Sequence, residues 1–138
     1  MFHEKYLTAT REKDSVININ LDPALPNQRK ANVIPNRYIA KEDAETLLNF
    51  SLDIIEQVGD YCCSIKNNTQ YYLGHTHILK KITKKIHKEG MLALLDHKLS
   101  DIGSSNGSAI YWIKEMGFDA FTFSPFAGNT SKTVEKAH

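Results

Sequence analysis

Four times along this chain, a short run of strand-forming residues is followed by a segment with helical periodicity. The strand-like runs are 16–22 (VININLD), 61–66 (YCCSIK), 91–98 (MLALLDHK) and 119–125 (DAFTFSP). The helical segments occupy roughly 41–58, 72–90, 109–117 and the stretch from 131 onward, and the first three end at Gly59, Gly90 and Gly117. This alternation predicts parallel strands joined by right-handed helical crossovers.

The polarity of the strand faces separates two architectures that fit this order, an open doubly wound sheet and a (β/α)8 barrel. Both faces of a central strand are apolar in a doubly wound sheet, because helices cover both. Here one face is polar, as in the first run, where Asn18, Asn20 and Asp22 lie opposite Ile17, Ile19 and Leu21. A polar face that becomes charged at its carboxyl end suits a barrel interior. We predict an α/β fold, a parallel (β/α)4 half of a TIM (β/α)8 barrel, as one domain spanning 1–138 with four βα units and an incomplete fourth helix.

Composition and charge exclude several classes of protein. The net charge of +1 gives no sign of nucleic acid or an anionic membrane as a partner. No apolar run approaches the ~20 residues of a transmembrane helix, and residues 1–14 lack the apolar stretch of a signal peptide. Cys62 and Cys63 are adjacent, which disfavours a disulfide between them, and the chain has no other cysteine. We therefore expect a protein of the reducing cytoplasm.

The helical segments also predict which faces are buried. Between 78 and 86, isoleucines and a leucine fall on one side, and the lysines of 80–88 fall mostly on the other. We interpret that lysine cluster as a solvated face rather than a binding patch. Trp112 and the phenylalanines are expected in the core.

Charged residues gather at the carboxyl ends of the strand-like runs. Side chains two apart on a strand point the same way, so Asp96 and Lys98 are expected to face inward together. The same parity places Asp22 and Lys66 inward at the ends of the first two strands, and Asp101 starts the helix after the third. We predict a ring of two lysines and at least two carboxylates around one pocket, in which alternating signs keep each group ionised despite partial burial.

Structural roles would also explain parts of this pattern. Asp101 could cap the helix that follows it, and Asp96 with Lys98 could form an ordinary ion pair at a barrel rim. Four inward charges at three successive strand ends favour a functional site, because structure alone rarely requires so many. A metal pair at His75 and His77 is disfavoured, since residues i and i+2 of a helix do not face one another. We predict no metal.

Four segments resemble the orotidine 5′-monophosphate decarboxylase family, in the same order along the chain. DHKLSDIGSS (96–105) resembles the family signature D-x-K-x-x-D-I-G-x-[ST], and INLDPALP (19–26) its G-L-D-P segment. CSIKNNTQYY (63–72) resembles its second-strand lysine followed by Asn and paired aromatics, and MGFDAFTFSPFAGN (116–129) its G-x-D-A-x-T-x-N-P-x-x-G. The D-x-K-x-x-D core alone also occurs in related sugar-phosphate decarboxylases and aldolases. The positions that depart from the pattern remove no charged group; they are Asn20, Asn67, Ser105 and Ser124.

The resemblance implies a role for each charged residue. Asp22 would hydrogen-bond a ribose hydroxyl of the substrate, and Lys66 would bridge the ribose and the carboxylate network. Asp96 would lie against the substrate carboxylate, and Lys98 would deliver a proton to C6 of the pyrimidine. Three more residues would reach into the active site of a neighbouring subunit: Asp101, Ile102 and Ser105. The implied reaction uses no cofactor and no metal.

The resemblance covers only one half of a barrel, which usually takes ~250 residues. It implies the N-terminal half of a carboxy-lyase of de novo pyrimidine biosynthesis, inactive alone because the phosphate-binding loops lie in the other half. An open half-barrel exposes sheet edges, so we expect a C-terminal half chain, a homo-oligomer, or both, rather than a monomer. Two alternatives stay open: a non-catalytic, self-associating half-barrel with an assembly or regulatory role, and a related sugar-phosphate decarboxylase or aldolase, which a magnesium requirement would reveal.

Overall fold

A computed structural model describes residues 1–137 and contains five α-helices and four β-strands within them. The helices are α1 (Phe2–Lys13), α2 (Asp43–Val58), α3 (Leu79–Lys88), α4 (Gly103–Glu115) and α5 (Thr130–Ala137). The strands are β1 (Asn18–Leu21), β2 (Ser64–Asn68), β3 (Leu92–Leu99) and β4 (Ala120–Phe123). The helix predicted after the fourth strand is α5, and the last residue of that prediction, His138, lies outside the described residues.

All four strands lie parallel in one sheet, in the order β1-β2-β3-β4, which confirms the predicted topology. Asn20 pairs with Lys66, Lys66 with Leu94, and Leu94 with Ala120, so these side chains form one row on the same face. One helix, α2, α3 or α4, lies in each connection between successive strands. The carboxyl ends of the strands therefore meet at one edge of the sheet.

The opposite face of the sheet carries the hydrophobic core. Ile65 of β2 and Leu95 of β3 lie in one buried cluster with Leu47, Ile55 and Ile82 of helices α2 and α3. Complete burial of such a side chain contributes about 1.5–3 kcal/mol relative to exposure. Packing thus holds helices α2 and α3 against the apolar face of the sheet. The row that contains Lys66 lies on the opposite face.

The second strand lies further along the chain than the run 61–66 predicts. β2 begins at Ser64 and continues to Asn68, so Lys66 lies in the middle of the strand and not at its end. Both added residues pair with β3, which extends the strand through two asparagines. Asparagine is depleted in strands, and pairing with the neighbouring strand overrides that local preference here.

Helix α1 is an element that the sequence did not predict. Its Tyr6 and Ala9 pack against Cys63 and Leu92, which lie at the amino-terminal ends of β2 and β3. Lys5 also reaches across to Asp119, just before β4, with Nζ 2.8 Å from the carboxylate oxygen. The helix therefore covers the amino-terminal end of the sheet, opposite the edge that carries the predicted site.

Two aromatic predictions need correction. Trp112 is 62% exposed, because α4 packs on the core through Ile110 and Ile113 and position 112 faces away. Phe2 and Phe126 are also exposed, whereas Phe118 is buried. Tyr72 is fully buried, but it lies in a short 3₁₀ turn before α3 and not on the helix that the periodicity predicts.

Helix α3 follows the predicted division of faces. Its apolar residues are buried and most of its lysines are exposed, namely Lys80, Lys81, Lys84 and Lys88. No helix within residues 1–137 combines the length and the apolar character needed to cross a membrane.

Candidate active site

The carboxylate of Asp96 in β3 lies between two lysine side chains, Lys66 from the middle of β2 and Lys98 near the carboxyl end of β3. Lys98 Nζ is 2.9 Å from Asp96 Oδ1, and Lys66 Nζ is 3.4 Å from Asp96 Oδ2. Thr122 of β4 donates a third contact, with its hydroxyl 2.7 Å from Oδ1. Three adjacent strands thus contribute to one cluster, which we call the Lys–Asp–Lys array (Lys66, Asp96 and Lys98).

Charge compensation keeps Asp96 ionised although its side chain is only 11% exposed. Burial raises the pKa of a carboxylic acid, but the hydrogen bonds from Lys98 and Thr122 and the charges of Lys66 and Lys98 outweigh burial. The pKa of Asp96 therefore lies below its ordinary value. The array carries two positive charges and one negative charge, so it can attract an anionic ligand.

Asp22 and Asp101 do not join the array by ion pairs within the described residues. Asp22 is exposed and lies directly after β1, which is the strand next to β2. The Asp101 carboxylate accepts a hydrogen bond from the Ile102 N–H at 2.7 Å. The sequence predicts a ring of at least four charged residues. The structure brings three of them into contact, Lys66, Asp96 and Lys98, and leaves the carboxylates of Asp22 and Asp101 outside this array.

The helix-cap interpretation of Asp101 finds little support in the geometry. Ile102 occupies the N-cap position of α4, and no side chain caps the helix there. The Asp101 backbone N–H donates to Asn106 Oδ1 at 3.1 Å, which holds the turn before the helix. Asp101, Ile102 and Ser105 are all exposed, so their side chains are accessible to another molecule.

Thr122 is the site residue that sequence reasoning missed. Alternation along the fourth strand-like run puts Thr122 on the same face as Ser124, opposite Phe121 and Phe123. The signal that could have found it is this parity, combined with the fact that a hydroxyl beside a buried carboxylate satisfies one of its oxygens.

The two histidines considered for a metal, His75 and His77, lie at a 3₁₀ turn before α3 and not on a regular helix. The rings of His75 and His77 lie 6.2 Å apart, centroid to centroid. Within residues 1–137, no group of three or more His, Cys, Asp or Glu side chains is placed to hold a metal ion.

A parallel sheet with helices on its apolar face and a charged array at its carboxyl edge defines half of a barrel of the (β/α)8 class. A solved structure agrees with that fold: the chain superposes on the orotidine 5′-monophosphate decarboxylase of Plasmodium berghei with a TM-score of 0.74. The two sequences are 19% identical, and the superposition covers 99% of this chain and 56% of the other. Residues 43–138 match the family described as Orotidine 5′-phosphate decarboxylase / HUMPS. The chain belongs to this family.

Curated relatives show how much of the family's length is present. The chain is 34% identical over 136 residues to an orotidine 5′-phosphate decarboxylase of Herpetosiphon aurantiacus, covering 95% of this chain and 48% of the relative. It is 28% identical over 129 residues to one from Christiangramia forsetii, covering 87% and 44%. The chain therefore spans about half the length of these relatives.

Proposed function

We propose that this chain is the half of an orotidine 5′-monophosphate decarboxylase that carries the catalytic charges, producing uridine 5′-monophosphate in pyrimidine biosynthesis. The observation that carries the proposal is the Lys–Asp–Lys array, with the Asp96 carboxylate within 3.4 Å of both ammonium groups. An array of this kind at the carboxyl edge of a barrel sheet is placed where barrel enzymes bind substrates. Family membership supports the same reaction class.

In the proposed reaction, the bond between pyrimidine C6 and the carboxylate breaks and carbon dioxide leaves. The electron pair stays at C6, where the Lys98 ammonium faces it and then transfers a proton to it. Fixed positive charge beside C6 stabilises negative charge that develops only in the transition state. Asp96 lies against the substrate carboxylate and, through its contact with Lys98, keeps that ammonium in place. The step draws only on these side chains and needs no cofactor and no metal.

Substrate binding in this proposal extends beyond the array. Asp22 accepts a hydrogen bond from a ribose hydroxyl, and Lys66 bridges the ribose and the Asp96 carboxylate. Asp101, Ile102 and Ser105 serve the site of a neighbouring subunit; their exposure at the start of α4 supports this assignment.

The proposal includes a partner that completes the barrel and grips the substrate phosphate. A groove of about 610 Å³ beside β4 supports it, with Phe121 and Phe123 of the strand, Ile110 of α4 and Val134 of α5 among its lining residues. Unpaired strand edges and apolar grooves of this kind are places where further strands and helices add. The natural occupant is the remaining half of a family barrel. Two free, buried cysteines suit a reducing cytoplasm.

Complementation tests the proposal. The chain would be purified alone and together with the part of the Herpetosiphon aurantiacus relative that it does not match, and decarboxylation of orotidine 5′-monophosphate would be followed by ultraviolet absorbance. We expect turnover only in the mixture, because remote phosphate binding is used to lower the barrier of the chemical step. The same mixture with Lys98→Ala is the control and should be inactive.

Two results would overturn parts of the proposal. Turnover by the chain alone would remove the need for a second half while keeping the reaction. A folded, stable complex without turnover would refute the decarboxylase assignment. Magnesium-dependent turnover of a sugar phosphate by that complex would instead favour a related family activity.

A further inference from the structure

The end of β3 is irregular where it carries Asp96 and Lys98, two of the three residues of the array. Regular pairing with β4 reaches Leu95 and Phe121 and resumes at Leu99 and Phe123, with a register shift between them. Three residues of β3 in this gap therefore lie opposite one residue of β4, Thr122. Such a bulge re-aims side chains and leaves backbone groups without ladder partners.

Lys98 has an unusual backbone conformation within this bulge. Its φ is 53°, in the left-handed region that non-glycine residues rarely adopt. Such a conformation persists only where surrounding contacts hold it. The Lys98 side chain is 61% exposed, so packing around that side chain does not supply the restraint.

One hydroxyl contacts both parts of the bulge. Thr122 Oγ1 accepts a hydrogen bond from the Lys98 backbone N–H at 2.9 Å and donates one to Asp96 Oδ1 at 2.7 Å. A hydroxyl has one donor and two lone pairs, so both bonds form together. The β-branched side chain also restricts χ1 and keeps the hydroxyl aimed.

We infer that Thr122 is a positioning residue, which fixes the Lys98 ammonium by holding the Lys98 backbone and the Asp96 carboxylate at once. The inference rests on the proposed function and adds to it a residue that contacts neither substrate nor reacting atoms. Without the hydroxyl, the Lys98 N–H loses its acceptor and Asp96 loses one of its donors. The Lys98 ammonium then has a wider range of positions relative to C6.

Kinetics of the complemented enzyme test the inference. Thr122→Val keeps the shape and removes the hydroxyl, and we expect kcat to fall by about 100-fold, the scale of a 1 Å misplacement. KM should stay unchanged, because the substrate contacts remain. Thr122→Ser restores the hydroxyl and should recover most of kcat. Ser64→Ala is the matched control, since Ser64 lies on the same sheet, its hydroxyl donates to Asn18 Oδ1 at 2.9 Å, and within residues 1–137 that hydroxyl makes no hydrogen bond to the array.

A second measurement does not depend on turnover. Titration of the Asp96 carboxyl carbon by nuclear magnetic resonance, assigned with Asp96→Asn, reports the contacts of that carboxylate. The Thr122 hydrogen bond helps to lower the pKa of Asp96, so Thr122→Val should move the titration toward the ordinary value. Thr122→Ser should reverse the change, and Ser64→Ala should leave the titration unchanged.

The two measurements separate failure of the inference from failure of the proposed function. Wild-type complex without turnover refutes the proposed function, and the Asp96 titration still decides whether Thr122 holds the array. Active wild-type enzyme with unchanged kcat and unchanged Asp96 titration in Thr122→Val refutes the inference. Equal loss of kcat in Thr122→Val and Ser64→Ala would also refute it, because loss of any sheet hydroxyl would then suffice.

Discussion

Two carboxylates, Asp96 and Asp119, are largely buried at opposite ends of the sheet, and their partners differ in kind. Asp119, 6% exposed, accepts hydrogen bonds from the backbone N–H of Ala93 and from Lys5, and pairs with His87 at 2.7 Å. It thereby joins β3, α1 and α3. Among residues 1–137, the carboxylate of Asp96 is paired or hydrogen-bonded only with side chains, namely those of the two lysines and Thr122. Side chains can rearrange around a substrate more readily than a backbone amide can, so Asp119 suits a structural role and Asp96 a functional one.

Asp119 should make folding stability depend on acidic pH. Burial opposes ionisation, but the bonds from Lys5, Ala93 and His87 outweigh it and lower the pKa of Asp119 below its ordinary 3.8. The stabilisation is therefore present above about pH 3.8 and is lost as pH falls through the folded-state pKa. Asp119→Asn should lower the free energy of unfolding by about 2 kcal/mol at pH 5, and the difference from wild type should shrink toward pH 2.

Urea titration at several pH values measures this difference. The exposed Asp60 provides the control, because Asp60→Asn should leave the free energy of unfolding nearly unchanged at each pH. A pH-independent difference between Asp119→Asn and wild type would contradict the prediction.

At the scale of elements, α1 acts as a cover for the amino-terminal end of the sheet. Its contact face is narrow, with Tyr6 and Ala9 toward the sheet and most other positions exposed. A stripe this narrow carries little periodic signal, which is why the sequence did not predict the helix. The small side chain of Ala9 allows the helix to approach Cys63 and Leu92 closely.

Ala9→Asp should detach this cover. A carboxylate would be placed against the apolar side chains of Cys63 and Leu92, so we expect a loss of at least about 2 kcal/mol in the free energy of unfolding. Thr8→Asp, on the exposed side of the same helix, is the control. Helix propensity accounts for less than about 0.7 kcal/mol of either change. Equal urea midpoints for the two variants would show that α1 does not pack as described.

At the scale of the whole molecule, the proposed role of Asp101 requires a second subunit. In an assembly that pairs each Lys98 with the Asp101 of a neighbour, Lys98→Ala and Asp101→Ala chains are each inactive alone. Mixed pairs would contain one site with both wild-type residues. Equal mixing of the two variants in the complemented enzyme should therefore return about one quarter of wild-type activity, the fraction that random pairing of a symmetric dimer produces.

The matched control mixes Lys98→Ala with Lys66→Ala chains. Both lysines contact the same Asp96 within one chain, so no mixed pair restores a complete site and activity should stay absent. Absence of activity in the Lys98→Ala and Asp101→Ala mixture as well would place Asp101 within its own chain's site, or outside the machinery altogether.

The sequence by itself determined the order and type of the repeating elements and the face on which Lys66 and Asp96 lie. These follow from local periods, two residues along a strand and 3.6 along a helix, that a linear pattern records directly. Parallel strands then bring their carboxyl ends together, which is why residues 30 positions apart could be assigned to one cluster.

Only the tertiary structure decided the features that depend on a partner distant in the chain. The extension of β2 to Asn68 depends on pairing with β3, and the burial of α1 depends on the sheet end that it covers. The left-handed backbone of Lys98 depends on Thr122 across a bulge that no local pattern encodes. Side-chain alternation along a regular strand predicts that Lys98 lies beside Asp96, and the two side chains are in contact. The β3 backbone that brings them together is irregular, however, because long-range hydrogen bonds outweigh the local backbone preference of a single residue.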